Sequence, residues 1–178
     1  MTTWQFKKAV ITRNKHYFFS QWLTILGFFF ISVFFFAFFY EKPSIKLAWF
    51  FTFPLLFFIL GLLALVFMFN LYSIKIIQTG KSREDNTKII KDYVRLKKAE
   101  SYTVDAGIAT FTIQVRKPNW KDYIFIMNNF VKVFLFPTDQ HVLISVQPFS
   151  GSQIFQPPGD LKVARRIRNE IEKSLISG

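Results

Sequence analysis

The chain contains no cysteine, which removes disulfides, thiolate metal sites and a cysteine nucleophile from consideration. Histidine is nearly as scarce: His16 and His141 are the two present, too far apart in sequence to suggest a zinc site. Acidic residues number 11 against 23 basic ones and are scattered, so no carboxylate dyad stands out. The sequence has no H-E-x-x-H, no G-x-S-x-G, no phosphate-binding lysine loop and no dinucleotide glycine fingerprint. Asp139 and His141 flank a turn and read as polar surface rather than as an acid–base pair. These absences point away from an enzyme, and no cofactor or metal is expected.

Charge is also missing over two long stretches. From Tyr17 to Tyr40, 24 residues pass without Asp, Glu, Lys, Arg or His, and from Leu47 to Ile74 another 28 do so. Seventeen of the 25 phenylalanines lie between Tyr17 and Tyr72, eight of them within residues 28–39. A hydrocarbon layer about 30 Å thick is crossed by roughly 20 helical residues at about 1.5 Å each, so either run is long enough. A soluble core helix has no need of apolar residues on every face for this length. A cleaved signal does not fit, because bulky Phe38, Phe39 and Tyr40 stand where small residues would be needed.

The expectation is an integral membrane protein with a transmembrane helical hairpin over residues 17–74, spans at about 17–40 and 47–72, and a basic cytosolic tail over residues 1–16. The connector Glu41-Lys42-Pro43-Ser44-Ile45-Lys46 is short, which makes the helices antiparallel neighbours. Tyr17, Trp22, Tyr40, Trp49 and Tyr72 fall toward the span ends as membrane-interface residues. Lys7, Lys8, Arg13 and Lys15 precede the first span and Lys75, Lys81 and Arg83 follow the second, so the positive-inside rule puts both termini in the cytoplasm. No carboxylate, histidine or arginine lies within the spans to suggest a proton relay or an ion path. Dense phenylalanine surfaces suggest a homo-oligomer formed through the hairpin.

Residues 75–178 carry 17 basic and 10 acidic side chains and are expected to form a small cytosolic α+β domain. Ser82-Arg83-Glu84-Asp85 reads as a helix start. Ile89, Ile90, Tyr93, Val94 and Leu96 then form an apolar side, and Lys88, Lys91, Arg95 and Lys98 line a basic one. About four strands follow as an antiparallel meander: residues 110–115, 123–127, 130–136 and 142–147. Asp160 is expected to cap a last helix whose inward residues are Leu161, Ala164, Ile167, Ile171 and Leu175. The two helices should cover one face of the sheet.

Candidate lipid-headgroup or anion-binding residues are Lys88, Lys91, Arg95, Lys98, Arg165, Arg166 and Arg168. Arg116, Lys117, Trp120, Lys121 and Tyr123 mix cations with aromatics, but beside a membrane anchor nucleic acid is the weaker candidate. The expected partners are the bilayer, a second copy of the chain, and an anionic nucleotide-like ligand or a protein. This plan resembles two kinds of bacterial protein: small membrane proteins with a pleckstrin-like domain, and two-span effectors of nucleotide-signalled antiphage systems. The resemblance implies a bacterial inner-membrane location. The effectors often carry closed barrels, from which the two helices of this soluble half depart. Two functions follow as expectations: a non-enzymatic, membrane-anchored binding or regulatory protein, or an oligomerising, membrane-perturbing effector with the soluble domain as sensor.

Overall fold

The computed structural model describes residues 1–40, 47–71, 73–115, 130–149 and 158–177. The elements are α1 (Thr3–Arg13), α2 (Lys15–Tyr40), α3 (Leu47–Leu71), β1 (Lys75–Gln78), α4 (Arg83–Leu96), β2 (Glu100–Asp105), β3 (Ile108–Gln114), β4 (Phe130–Pro137), β5 (His141–Phe149) and α5 (Pro158–Ser177). They divide into two compact units, Lys15–Asn70 on the one hand and Met1–Asn14 together with Leu71–Gly178 on the other.

In the first unit, α2 and α3 pack side by side. Ring pairs join Phe28 to Phe57, Phe29 to Phe58 and Phe35 to both Phe53 and Phe57. Phe29 lies against Gly61, Ser32 against Pro54 and Phe35 against Phe53, so the helices run antiparallel. A Cβ on Gly61 would come within 3.0 Å of the Phe29 ring, so the glycine sets how closely the helices approach. The Ser32 hydroxyl donates to the Pro54 carbonyl at 2.7 Å, a polar tie at the proline of α3. Phe18–Phe38 is long and apolar enough to cross a membrane, and only 11% of it is buried. The apolar stretch of α3 among the described residues is shorter, Thr52–Val66.

The second unit is built on a five-stranded antiparallel sheet in the order β1-β5-β4-β3-β2. Its last four strands are consecutive, as a meander requires, and β1 adds to the outside of β5 with Lys75 opposite Ile144 and Gln78 opposite His141. The expected strand at 123–127 and the turns at 116–119 and 128–129 lie outside the described residues. Two strands differ from the sequence reading, β1 and β2. β2 turns into β3 through Ala106 and Gly107, both at positive φ (47° and 77°), the geometry of a tight two-residue hairpin.

Alternation along the strands gives the sheet two packed faces. Phe111, Val133, Leu135, Ile144 and Val146 meet Ile90 and Tyr93 of α4 and Ala164, Ile167, Ile171 and Leu175 of α5. On the opposite face Ile108, Phe134, Phe136 and Leu143 enclose Phe6 and Val10 of α1. The N-terminal segment is therefore a helix of the sheet unit and not a tail. Phe6 and Val10, one turn apart, supply the apolar stripe that a basic reading of this segment passes over. Thr2 and Gln5 form a capping box at its start. At its end the Arg13 guanidinium pairs with Asp105, and the Asn14 amide donates to Gln147 Oε1 at 2.8 Å.

α4 begins as expected: the Ser82 hydroxyl accepts from the Asp85 amide at 3.1 Å. The Asp139 carboxylate accepts from the Arg83 amide at 2.9 Å, so its oxygen serves the helix start. Asn86, fully buried, donates to the Thr138 carbonyl at 2.9 Å and ties α4 to the β4–β5 turn. α5 begins at Pro158, so Asp160 sits inside the helix rather than before it.

Candidate anion-binding surface

α4 projects its basic side chains away from the sheet because Ile90 and Tyr93 face inward. Lys88, Lys91 and Arg95 are all exposed along the outer face. Lys98 does not belong to that face. The helix ends at Leu96, and Lys98 takes a left-handed φ of 48° while the Ala99 amide donates back to the Val94 carbonyl at 3.0 Å. This is a Schellman ending with lysine where glycine is usual. Leu96, expected on the apolar side, is the last residue of the helix and is 78% exposed.

Two depressions adjoin the stripe. One, of about 740 Å³, runs between α4 and the end of α5 and has Ile89, Tyr93 and Leu96 as its apolar wall, with Lys81, Lys88, Asp85 and Asp92 around them. The other, of about 500 Å³, is framed by Arg83, Glu84, Thr87, Lys88 and Lys91. Lys88 stands on the rim of both. Lys81 is a contributor that sequence reasoning did not single out. Its ammonium donates to the Leu175 carbonyl at 2.8 Å and closes the C-terminal end of α5.

The α5 arginines do not extend this surface. Glu170 accepts from Lys97 at 2.8 Å and lies 3.9 Å from Arg166, so one carboxylate answers two of the local cations. Lys81 reaches the Leu175 carbonyl while Lys97 reaches Glu170, which makes α4 and α5 antiparallel; Arg165 and Arg166 are exposed and line neither depression. Arg168 is half-buried; burial first and Arg165 second weaken its hold on its proton, while Glu172 opposes them. Its Nε is buried without a partner.

Tyr93, beneath the larger depression, keeps its phenol proton well beyond the usual tyrosine range because burial and then the nearby Glu170 disfavour the phenolate. The Lys97 ammonium sits 5.7 Å from its ring centre. The larger depression sets Lys81 and Lys88 against Asp85 and Asp92 around its apolar wall, whereas the smaller one has three cations, Arg83, Lys88 and Lys91, to one carboxylate, Glu84, the balance suited to holding an anion. Among the described residues no three His, Asp or Glu side chains gather as metal ligands.

Of the expected interface residues, Trp22 is half-buried and Tyr40 is 74% exposed at the end of α2. The side chains of Tyr17 and Trp49, and Tyr72 altogether, lie outside the described residues, as do Arg116, Lys117, Trp120, Lys121 and Tyr123. Comparison with family models, curated proteins and solved structures gives no match to this chain.

Proposed function

We propose that the chain is a membrane-anchored, non-enzymatic binding protein. Residues 15–70 cross the bilayer twice, and the sheet unit uses the cationic outer face of α4, with the depression framed by Arg83, Lys88 and Lys91, to recognise an anionic ligand or partner. One observation carries the anchor. Met1–Asn14 and Leu71–Gly178 form a single compact unit, so the apolar segment leaves and re-enters the same folded body. A folded body lies on one side of a membrane, so the number of crossings between its two parts is even. If α2 crosses, α3 crosses back. Their lengths of 26 and 25 residues correspond to about 39 and 37 Å of helix, enough for the hydrocarbon layer. The basic flanks favour a cytoplasmic position for the sheet unit.

The anchor reading is tested by extraction. Membranes washed in alkaline carbonate should retain the chain, and only detergent should release it; release by carbonate alone overturns the reading. The binding reading is tested with inorganic polyphosphate and the full chain in detergent micelles. Lys88→Glu with Lys91→Glu should weaken binding several-fold. Arg165→Glu with Arg166→Glu should change it little, because Glu170 already engages Arg166. Equal losses from both pairs, or none from the first, contradict the assignment.

A second reading is favoured by the outward rings of α2. Phe30 is 73% exposed, and Phe34, Phe36 and Phe38 are exposed with it. Lipid chains cover such rings, and so would other copies of the hairpin, as an oligomerising, membrane-perturbing effector requires. Induced depolarisation of the host membrane, lost when an unrelated hairpin replaces residues 15–70, would support that reading. No depolarisation on expression would count against it.

A further inference from the structure

We infer that α1 lies flat on the surface of the anchoring membrane, held there by Trp4, Lys7 and Lys8, and that this turns the α4 depressions away from the lipid toward soluble ligands. The inference rests on the anchor reading above and goes beyond it.

α1 has two unlike faces. Phe6 and Val10 are buried against the sheet, and the Arg13–Asp105 and Asn14–Gln147 contacts fix the roll of the helix. Trp4 and Lys8, four residues apart, stand on the face opposite Phe6. Trp4 is 69% exposed, and the Lys8 ammonium lies 5.5 Å from its ring centre. Lys7 is exposed beside them, and α1 contains no acidic residue. A water-exposed indole is an unusual surface choice, but it is the preferred side chain at a bilayer interface, where its ring meets the headgroup level and lysines meet anionic lipid.

Chain continuity puts this face within reach. Asn14 alone separates α1 from α2, and the helical path from Trp4 to Arg13 with two further residue steps to Lys15 spans about 21 Å at most. An anionic bilayer surface is thus the partner whose charge and proximity both fit.

The consequence for the basic stripe follows from the sheet. α1 and α4 cover opposite faces of it, so their outer surfaces point in opposite directions. Two helix layers of about 10 Å each, with the sheet between them, hold Lys88, Lys91 and Arg95 more than about 20 Å from lipid that meets Trp4. The Debye length in physiological salt is about 8 Å, so those cations would barely sense the headgroups. Their anion arrives from solution.

Three single-tryptophan chains test this, each with the other native tryptophans changed to Phe. One keeps Trp4, one keeps Trp22, and one keeps none of the native four but carries Leu96→Trp at an exposed position of α4. Each is reconstituted in vesicles of phosphatidylglycerol and phosphatidylcholine brominated near the carbonyl end of the acyl chain. The Trp4 chain should emit to the blue of free tryptophan and lose roughly half its intensity to the bromolipid. Adding Lys7→Glu and Lys8→Glu should restore most of that intensity. The Leu96→Trp chain should emit as in water and remain unquenched. If Trp22 is quenched while Trp4 is not, or if Leu96→Trp is quenched in its place, the surface assignment of α1 is wrong and the anchor stands. If Trp22 also escapes quenching, the anchor reading fails and takes the inference with it.

Discussion

Replacing Phe6 with alanine strikes the side chain that holds the N-terminal helix to the sheet, and hence the joint on which the two-crossing argument depends. Phe6 is fully buried, with its ring 6.4 Å from that of Phe136. A buried phenylalanine ring withdraws on the order of 150 Å² from water, and at about 25 cal/mol per Å² this amounts to about 4 kcal/mol. α1 is a single helix on the sheet surface and can settle into part of the space left behind, so a loss of about 3 kcal/mol is the reasonable expectation. That energy acts first on docking of α1 and less on the α4–α5 core across the sheet. In native-state hydrogen exchange of the micelle-bound chain, α1 amides should therefore exchange about a hundred-fold faster, since about 1.4 kcal/mol is a factor of ten. Amides of β4 and β5 should move far less. Exchange in α1 that stays within about threefold of the parent chain would show that Phe6 is not what holds α1 to the sheet, and the reasoning would fail.

Three further outcomes follow from local features of the sheet unit. Lys98→Gly relieves a left-handed lysine at the end of α4 and should stabilise the chain by about 1 kcal/mol in urea unfolding; destabilisation would contradict the Schellman assignment. Ser82→Ala removes the cap of the same helix and should cost about 1 kcal/mol in that assay, while an unchanged midpoint would mean Asp139 suffices alone. Tyr93 should contribute a falling stability at high pH. Its folded-state pKa lies above the ordinary 10.0, so the unfolded chain loses the proton first and stability declines as pH rises through and beyond that value. Tyr93→Phe should abolish that part of the alkaline slope, and it should also gain about 1 kcal/mol at neutral pH by removing a buried hydroxyl that lacks a partner. An identical slope in both chains would refute the assignment.

The sequence discloses features that act over a few residues. Ser82 and Asp85 mark the start of α4, alternation marks β3, and short apolar runs set off by turn residues mark β4 and β5. β1 escapes detection because Ile76 and Ile77 follow directly on an apolar span, and four residues are too few to establish a period. β2 escapes because it is an edge strand with most of its residues exposed, so no buried face imposes alternation, and Ser101 at positive φ adds an irregularity. The N-terminal helix reads as a basic tail because only Phe6 and Val10 in it are buried, with Lys7 and Lys8 between them. Its place on the sheet is a long-range fact that no local pattern carries.

The same division runs through the candidate surface. Lys88, Lys91 and Arg95 share a helix face by spacing alone, and the structure keeps them together. The reach of Glu170 to Lys97 depends on how α4 lies against α5, and the departure of Lys98 depends on where the helix stops. Neither is written in the spacing of charges. α3 illustrates the limit from the other side: its composition favours a crossing, and the even-number argument that supports it needs the tertiary union of the two chain ends.

The absence of cysteine makes the central claim directly measurable. Single cysteines introduced as Thr3→Cys, Ser44→Cys and Ser177→Cys can each be tested with a membrane-impermeant maleimide on intact cells of a bacterial host. A membrane hairpin under a single cytoplasmic body predicts labelling at position 44 from outside, and labelling at positions 3 and 177 only after the membrane is opened. Labelling of one terminus and not the other in intact cells would place the two ends on opposite sides, and the account would be wrong.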